Sequence, residues 1–574
     1  MAAPAAAADA GPAPEPPATP PASTAGLVTW WAPEPARLDR GVPGTSIEVD
    51  AADPAFARWL PSPVLGPDER VLRIPGGGSI CRPACTLTVA ADANVVVKLR
   101  GPGTVSGRFD LAPAEPADGD LLLDVRAAGE WATVSRLALV RRGAAPAYGW
   151  SFPMLVPDDA VLVATAAAPW TLTAGPVSAR GPAGPLAVAL GPEAGRVVRV
   201  AVAASGELSG LEVRVRNPPA QAAPAAARSV VVLVVGGLRA DRVTAAFGAL
   251  TQAGTIVEGI AAPTTSESDN LAALLGGAAA AARAAGMRTA VLSNDPRLTE
   301  PLTAGFEVVE RKHPTLMGAA EDMMAGAAGW LRRHAGERVF LVVLCPEGDP
   351  PHLYRKGLTI RFDPEPYDGE LGFHVDSWRL NKVKKGMIRL EPRDEVRLRA
   401  LYDSDIANLA AAQARLLPPP PDTVFVLTST HGYELFEHGS VHFGHSLHRE
   451  GVEVPLALVA PGIAAGARLV RPAGLGEVLP AALALAGVGT AGPLARAIRG
   501  EGAVAPGVGL SRQAPAAVAL RVGPWRIISR GPGQERVFDL AADPGEAKPL
   551  DGPPSEVLTL LRDLVALEVA RQPR

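Results

Sequence analysis

The stretch SVVVLVVGGLRADR, residues 229–242, decides the fold. Its first seven residues are Ser followed by six Val or Leu, so the segment is apolar on both faces. That pattern predicts a central parallel strand covered by helices on either side. In open α/β sheets, ligands and catalytic groups gather beyond the C-terminal ends of such strands. Here the strand hands over to Gly236 and Gly237, which bring no side chain to that edge.

Working outward, strand-like RTAVLSN, RVFLVVLC, DTVFVLTST and VPLALVAPG alternate with helix-like LAALLGGAAAAARAAG, GAAEDMMAGAAGWLRRHAG and DEVRLRALYDSDIANLAAAQARLL. The alternation predicts a doubly wound, mostly parallel sheet over 229–500. Residues 501–574 read as a small antiparallel subdomain: two short strands, AVALRVGPWRIISR and ERVFDLAADP, then an amphipathic helix in PSEVLTLLRDLVALEVARQ. Upstream, residues 27–217 carry short alternating runs broken by Gly, Pro and Asp, which predicts an all-β domain, an antiparallel sandwich of jelly-roll or immunoglobulin type. Trp30, Trp31, Trp131, Trp150 and Trp170 fall in it, either as its core or as a glycan platform. Residues 218–228 read as a linker, and 1–26 as a disordered Ala/Pro tether.

Composition narrows the function class. The chain has 574 residues, 48% of them hydrophobic and 20% charged, with a formal net charge of -4. That balance disfavours a nucleic-acid or anionic-membrane partner. No run reaches the roughly 18 to 20 apolar residues of a transmembrane helix. Residues 1–26 lack the basic and apolar regions of a signal peptide. An extracytoplasmic site (periplasmic, surface or secreted) is expected if a signal or anchor preceded the tether. Of three cysteines, Cys81 and Cys85 form a C-x3-C pair, open as a disulfide or as free thiols, and Cys345 reads as a structural thiol at a strand end. The lysine-bearing segment RLNKVKKGMIRLEPRDEVRLRA, 379–400, reads as a solvated loop and helix start, with an anionic ligand as the alternative.

Five segments in register carry a family likeness: VVLVVGGLRADR, GTIVEGIAAPTTSESDNLAALLGG, LRALYDSDIANLAAAQARLL, TVFVLTSTHGYELFEHGSVHFGHSLHREGVEVPLALVAPGI and VGPWRIISR followed by RVFDLAADPGE. From residue 229 onward the chain resembles the sulfatase family of the alkaline-phosphatase-like superfamily. The resemblance implies ester hydrolysis through a carboxylate-held divalent cation and a covalent nucleophile. It also implies where those groups belong. Gly236 and Gly237 align with the family's first metal-binding Asp residues. Thr430, in TSTHG, stands for a third, leaving His431 as a metal or sulfate contact. Glu267 stands at the nucleophile position without the Pro and Arg that follow it in the family. His445, in FGHSL, matches a histidine that serves the leaving group, and His352, in GDPPHLYR, matches another shifted by one position.

With three carboxylate positions vacant, the residues predict no cofactor and no hydrolysis: a pseudo-sulfatase with a binding or structural role. Asp241 lies one turn too far along to serve as a ligand. Thr264, Thr265, Ser266 and Ser268 are near the nucleophile position, and Glu267 or Asp269 would have to swing in to rebuild a centre. Two alternatives stay open. One is an active sulfuric- or phosphoric-ester hydrolase with a rearranged Ca²⁺ or Zn²⁺ site, five of the nine histidines (His431, His438, His442, His445 and His448) lying within one segment. The other is a secreted or surface module that binds an anionic glycan, or another protein, through its β-sandwich.

Overall fold

A computed structural model describes the backbone of 22–24, the strands between 27 and 139, and 147–570 apart from 205–207, 217–226, 296, 312–319, 418, 502–507, 514–516 and 532. Side chains are described at 22–24 and 27 and from residue 154 onward, with gaps. Two compact units emerge, Met1–Arg216 with Ala566–Arg574, and Asn217–Val565.

Among its described residues the first unit is built mainly of β-sheets, with the end of the helix Ser555–Ala570 included. One antiparallel sheet runs Leu27–Trp31, Leu208–Arg216, Val161–Ala166, Gly184–Ala189, and a five-stranded one Val177–Gly181, Trp170–Ala174, Val197–Ala204, Ala147–Leu155, Ala138–Leu139. Strand Trp170–Ala174 alternates buried and exposed, so one face of its sheet is interior. Trp170 is buried against Gly181, where an added Cβ would meet the indole at 2.7 Å; this is a core tryptophan, not a platform. Two further three-stranded sheets each contain a parallel pair, Ser46–Asp50 with Val71–Leu72 and Thr86–Val89 with Gly103–Leu111, a feature outside the purely antiparallel expectation. Cys81, Cys85 and the side chains of Trp30, Trp31, Trp131 and Trp150 lie outside the described residues.

The second unit is built on an eight-stranded sheet. Its strands in chain order are β1 (Ser229–Val235), β2 (Thr255–Ala261), β3 (Arg288–Ser293), β4 (Val308–Arg311), β5 (Val339–Cys345), β6 (Thr423–Thr428), β7 (Glu453–Val459) and β8 (Ala467–Gly474). They lie in the order β4-β3-β5-β1-β6-β7-β2-β8. β1 pairs in parallel with β5 and β6, and β7 runs antiparallel to both of its neighbours.

β1 shows why two-sided apolarity matters. Val230, Val232 and Val234 belong to one core, packed with helices α1 (Glu267–Leu275) and α4 (Val478–Leu485). Val231, Leu233 and Val235 belong to the other, packed with α2 (Ala320–Arg333) and α3 (Pro392–Gln413). Alternate residues of one strand thus bury themselves in opposite layers, as a doubly wound sheet requires. The Ala-rich segment after α1 is a separate helix, Ala278–Ala284, because Gly276 and Gly277, the latter at φ +75°, end α1.

The C-terminal sheet has four antiparallel strands, β9 (Val508–Gln513), β10 (Ala517–Val522), β11 (Trp525–Ser529) and β12 (Glu535–Asp539), followed by α5 (Ser555–Ala570). The segment AVALRVGPWRIISR, expected as one strand, is a hairpin turning at Gly523, which sits at φ +55°. Among the described residues no helix is long and apolar enough to cross a membrane.

Candidate functional site

The C-terminal ends of β1, β3, β5 and β6 converge on the glycine pair. A Cβ on Gly236 would lie 2.5 Å from Asp349 Oδ2, and one on Gly237 would lie 2.5 Å from the Gly348 carbonyl oxygen. Gly237 also has φ +69°. The glycines are therefore what lets the loop after β5 lie against the end of β1. The side-chain volume missing from β1 is filled by Asp349, a carboxylate delivered from a different strand. Nor does the Gly237 carbonyl stand free, since it accepts a hydrogen bond from Tyr402 Oη at 2.8 Å.

The Asp349 carboxylate meets two partners. Arg297 Nη2 donates to its Oδ2 at 2.9 Å, and His431 Nε2 lies 3.3 Å from its Oδ1. The same guanidinium bonds Glu267 Oε2 through Nη1 and chelates Asp295 through Nε and Nη2, at 2.7 and 3.0 Å. His431 Nε2 is 3.5 Å from Glu267 Oε2. Each group is placed by a strand end. Asp295 closes a turn just past β3, its amide donating to Ser293 Oγ at 2.9 Å while its Oδ1 accepts from the Arg297 amide at 2.8 Å. Glu267 is the first residue of α1, where a carboxylate suits the helix dipole. His431 follows β6, with Nδ1 against the Gly432 carbonyl at 2.8 Å and its ring stacked on Phe443 at 3.8 Å.

Glu267, Asp349 and His431 are 7%, 4% and 1% exposed, so the balance of charge among them decides their protonation. Burial opposes a charged imidazole, but Asp349 and Glu267 outweigh it and hold His431 protonated, its pKa raised to about 10. Burial likewise opposes the Asp349 carboxylate, which His431 and Arg297 nevertheless hold well below the usual range. Glu267 is pushed up, first by burial and then by Asp349. The linkage has a definite sign. A histidine raised from 6.5 to about 10 contributes stability that is full below about pH 6.5 and is lost as pH rises through about 10. Thermal unfolding followed from pH 6.5 to 10 is expected to show a falling melting temperature, and His431→Gln is expected to flatten that slope.

The sulfatase resemblance implies a divalent cation here, and the residues present bear on whether one fits. One ligand atom from each of Glu267, Asp349 and His431 lies within 4.8 Å of the others, and Asp349 Oδ1 and His431 Nε2 are buried without a hydrogen bond. A hard cation such as Ca²⁺ takes about six to eight oxygens. Two carboxylates and an imidazole fall short of that. Arg297 already stands on both carboxylates. The set does not fit the hard cation, and no chemical step is derived through one.

The other anticipated residues divide into those near the centre and those elsewhere. Thr430 is buried beside His431, with Oγ1 unbonded. Ser266 caps α1, accepting from the Asp269 amide at 3.5 Å, while Ser268 and Asp269 are exposed and Asp269 does not swing in. The Thr265 amide donates to the Arg512 carbonyl. His352 is buried between Asp405, 3.2 Å from Nδ1, and the Tyr433 hydroxyl, 3.0 Å from Nε2, a support for the tyrosine pair rather than part of the carboxylate cluster. His445 is held by Glu434 at 3.0 Å and lines a different cavity. Asp241 is engaged by Arg239 and Arg242. Cys345 is free and buried at the end of β5. The lysine-bearing segment forms helix Ser377–Lys384 and the start of α3. Asp349, Arg297 and Asp295 were not anticipated. Their signal was an acidic residue just beyond each of two buried strands, in SNDPR and GDPP.

No protein-family model matches the chain, and no curated protein matches it by sequence. Solved structures do match. A 2-O GAG sulfatase aligns at 16% identity and TM-score 0.47, over 60% of this chain and 92% of its own. A putative sulfatase of Bacteroides thetaiotaomicron aligns at 16% and 0.46, over 61% and 93%. The phosphonate monoester hydrolase of Silicibacter pomeroyi aligns at 16% and 0.45, over 60% and 95%. The structures that align over this portion are sulfatases and phosphonate monoester hydrolases. At such identities the likeness is one of fold, and no activity is taken from it.

Proposed function

We propose that the chain is a sulfatase-like protein without metal-dependent hydrolase activity, its α/β unit kept for binding or architecture. The observation that carries this reading is Arg297. One guanidinium bonds Glu267, Asp295 and Asp349 at the glycine pair, so a fixed protein cation neutralises the carboxylates that a metal would otherwise engage. Glu267, at the nucleophile position, is tied to that guanidinium and buried. Calorimetric titration of the full chain with Ca²⁺ is expected to show no stoichiometric binding. Micromolar Ca²⁺ binding that Asp349→Asn abolishes would overturn the proposal.

The second reading, a hydrolase with a rebuilt centre, is favoured by Asp349 Oδ1 and His431 Nε2, buried 3.3 Å apart without hydrogen-bond geometry. It requires Arg297 to leave both carboxylates. With the first reading go three finer expectations: that the first unit is a β-sandwich, supported by its two antiparallel sheets; that its partner is an anionic glycan or a protein; and that the protein works outside the cytoplasm.

A further inference from the structure

Away from the glycine pair, the segment between β6 and β7 meets the C-terminal subdomain in a second group of metal-ligating side chains. His438 and His448 stack with ring centroids 3.4 Å apart and planes 12° from parallel. Each has its own carboxylate: His438 Nε2 lies 3.0 Å from Glu450 Oε2, and His448 Nδ1 lies 2.9 Å from Glu546 Oε2. One ligand atom from each of the four residues lies within 4.8 Å of the others. Three of them come from the β6–β7 segment, and Glu546 comes from the turns just beyond β12.

Glu546 is the telling member. It is 1% exposed and sits at φ +51°, in the left-handed region that a glutamate seldom adopts. Such a conformation persists where the surroundings hold it. Its Oε1 faces Arg526 Nε at 2.7 Å, which fixes the carboxylate and leaves Oε2 directed at His448. Three of the four, His438, His448 and Glu546, line a cavity of about 370 Å³ together with Arg530 and Arg536.

We propose that His438, His448, Glu450 and Glu546 bind a borderline divalent cation, with Zn²⁺ the best match. Two imidazoles and two carboxylates suit zinc better than calcium or magnesium, which take oxygen ligands. Four protein ligands close a tetrahedral shell, so the ion is structural and leaves no position for chemistry. Coordination replaces the two His–Glu hydrogen bonds, releases any proton the imidazoles carry, and requires the rings to turn out of their parallel stack. Arg526 remains on the outer oxygen of Glu546, orienting the ligand. The ion pins the β6–β7 segment to the C-terminal subdomain.

The test uses the full chain, stripped with chelator and titrated with ZnCl₂ by calorimetry and by melting temperature. Stoichiometric zinc uptake and a zinc-dependent rise in melting temperature are expected. His438→Gln and Glu450→Gln, on the less buried half of the cluster, are each expected to weaken binding at least about tenfold. Circular dichroism of the stripped variants guards against misfolding, and should His438→Gln fail to fold, Glu450→Gln decides. Absence of uptake, or uptake unchanged by both variants, overturns the proposal. Uptake lost in Asp349→Asn instead would place the ion at the glycine pair, overturning this proposal and counting against the proposed function as well.

Discussion

Replacing Arg297 with Leu is expected to destabilise the second unit by about 3 kcal/mol or more, the lower part of the range for stranding buried charge. The side chain is itself 26% exposed, but the side chains of its partners Glu267, Asp295 and Asp349 are only 7%, 8% and 2% exposed, so the cost falls on three carboxylates deprived of their cation. His431 is left to answer for two of them. Denaturant unfolding of wild type and variant measures the difference, and Arg297→Lys separates charge from shape. A lysine restores the charge as a point donor and cannot bridge three carboxylates at once, so recovery is expected to be partial. A loss below about 1 kcal/mol would show that the cluster is a surface ion pair of the ordinary weak kind.

Restoring an aspartate at the end of β1 is expected to damage the fold and to build no metal site. Gly237→Asp sets a Cβ 2.5 Å from the Gly348 carbonyl oxygen and 2.7 Å from Asp349 Oδ1, at φ +69°. Overpacking and the approach of a second buried carboxylate together are expected to cost about 3 kcal/mol, and the loop after β5 has to move to admit the side chain. Gly236→Asp meets a removable obstacle instead, Asp349 Oδ2 at 2.5 Å. Combining Gly236→Asp with Asp349→Gly exchanges the strand from which the carboxylate comes, and is expected to be milder than Gly236→Asp alone. Unfolding of the single and double variants checks this. Additive losses would mean that the two positions do not share one volume.

These expectations mark where the sequence is legible and where it stops being so. The strand Ser229–Val235 is readable because six apolar residues must bury both faces, and its alternate valines do enter opposite cores. The vacancy at Gly236 and Gly237 is equally plain in the sequence. Its remedy is not, because Asp349 and Arg297 lie more than 50 residues apart in the chain and meet through strand order alone. Local sequence placed each acid just beyond a strand, and no local rule says that β3 and β5 are neighbours beside β1. The histidine-rich segment shows the same limit. Adjacency in sequence suggested one constellation, whereas the fold sends His431 to the carboxylate cluster, His445 to Glu434, and His438 with His448 to the C-terminal subdomain. The hairpin at Gly523 was hidden by a different cause: two strands joined through a short turn read as one apolar run.

We propose that the Arg297 guanidinium balances the buried carboxylates at the place where the sulfatase resemblance puts a metal-dependent centre. Turnover of 4-nitrophenyl sulfate, 4-nitrophenyl phosphate and a phosphonate monoester by the full chain, with and without added Ca²⁺, Mg²⁺, Mn²⁺ or Zn²⁺, tests it most directly. The account predicts rates for wild type that equal those of Asp349→Asn under every condition. Metal-stimulated turnover that disappears in Asp349→Asn and Glu267→Gln would contradict it, and would make these two carboxylates working parts of an active centre.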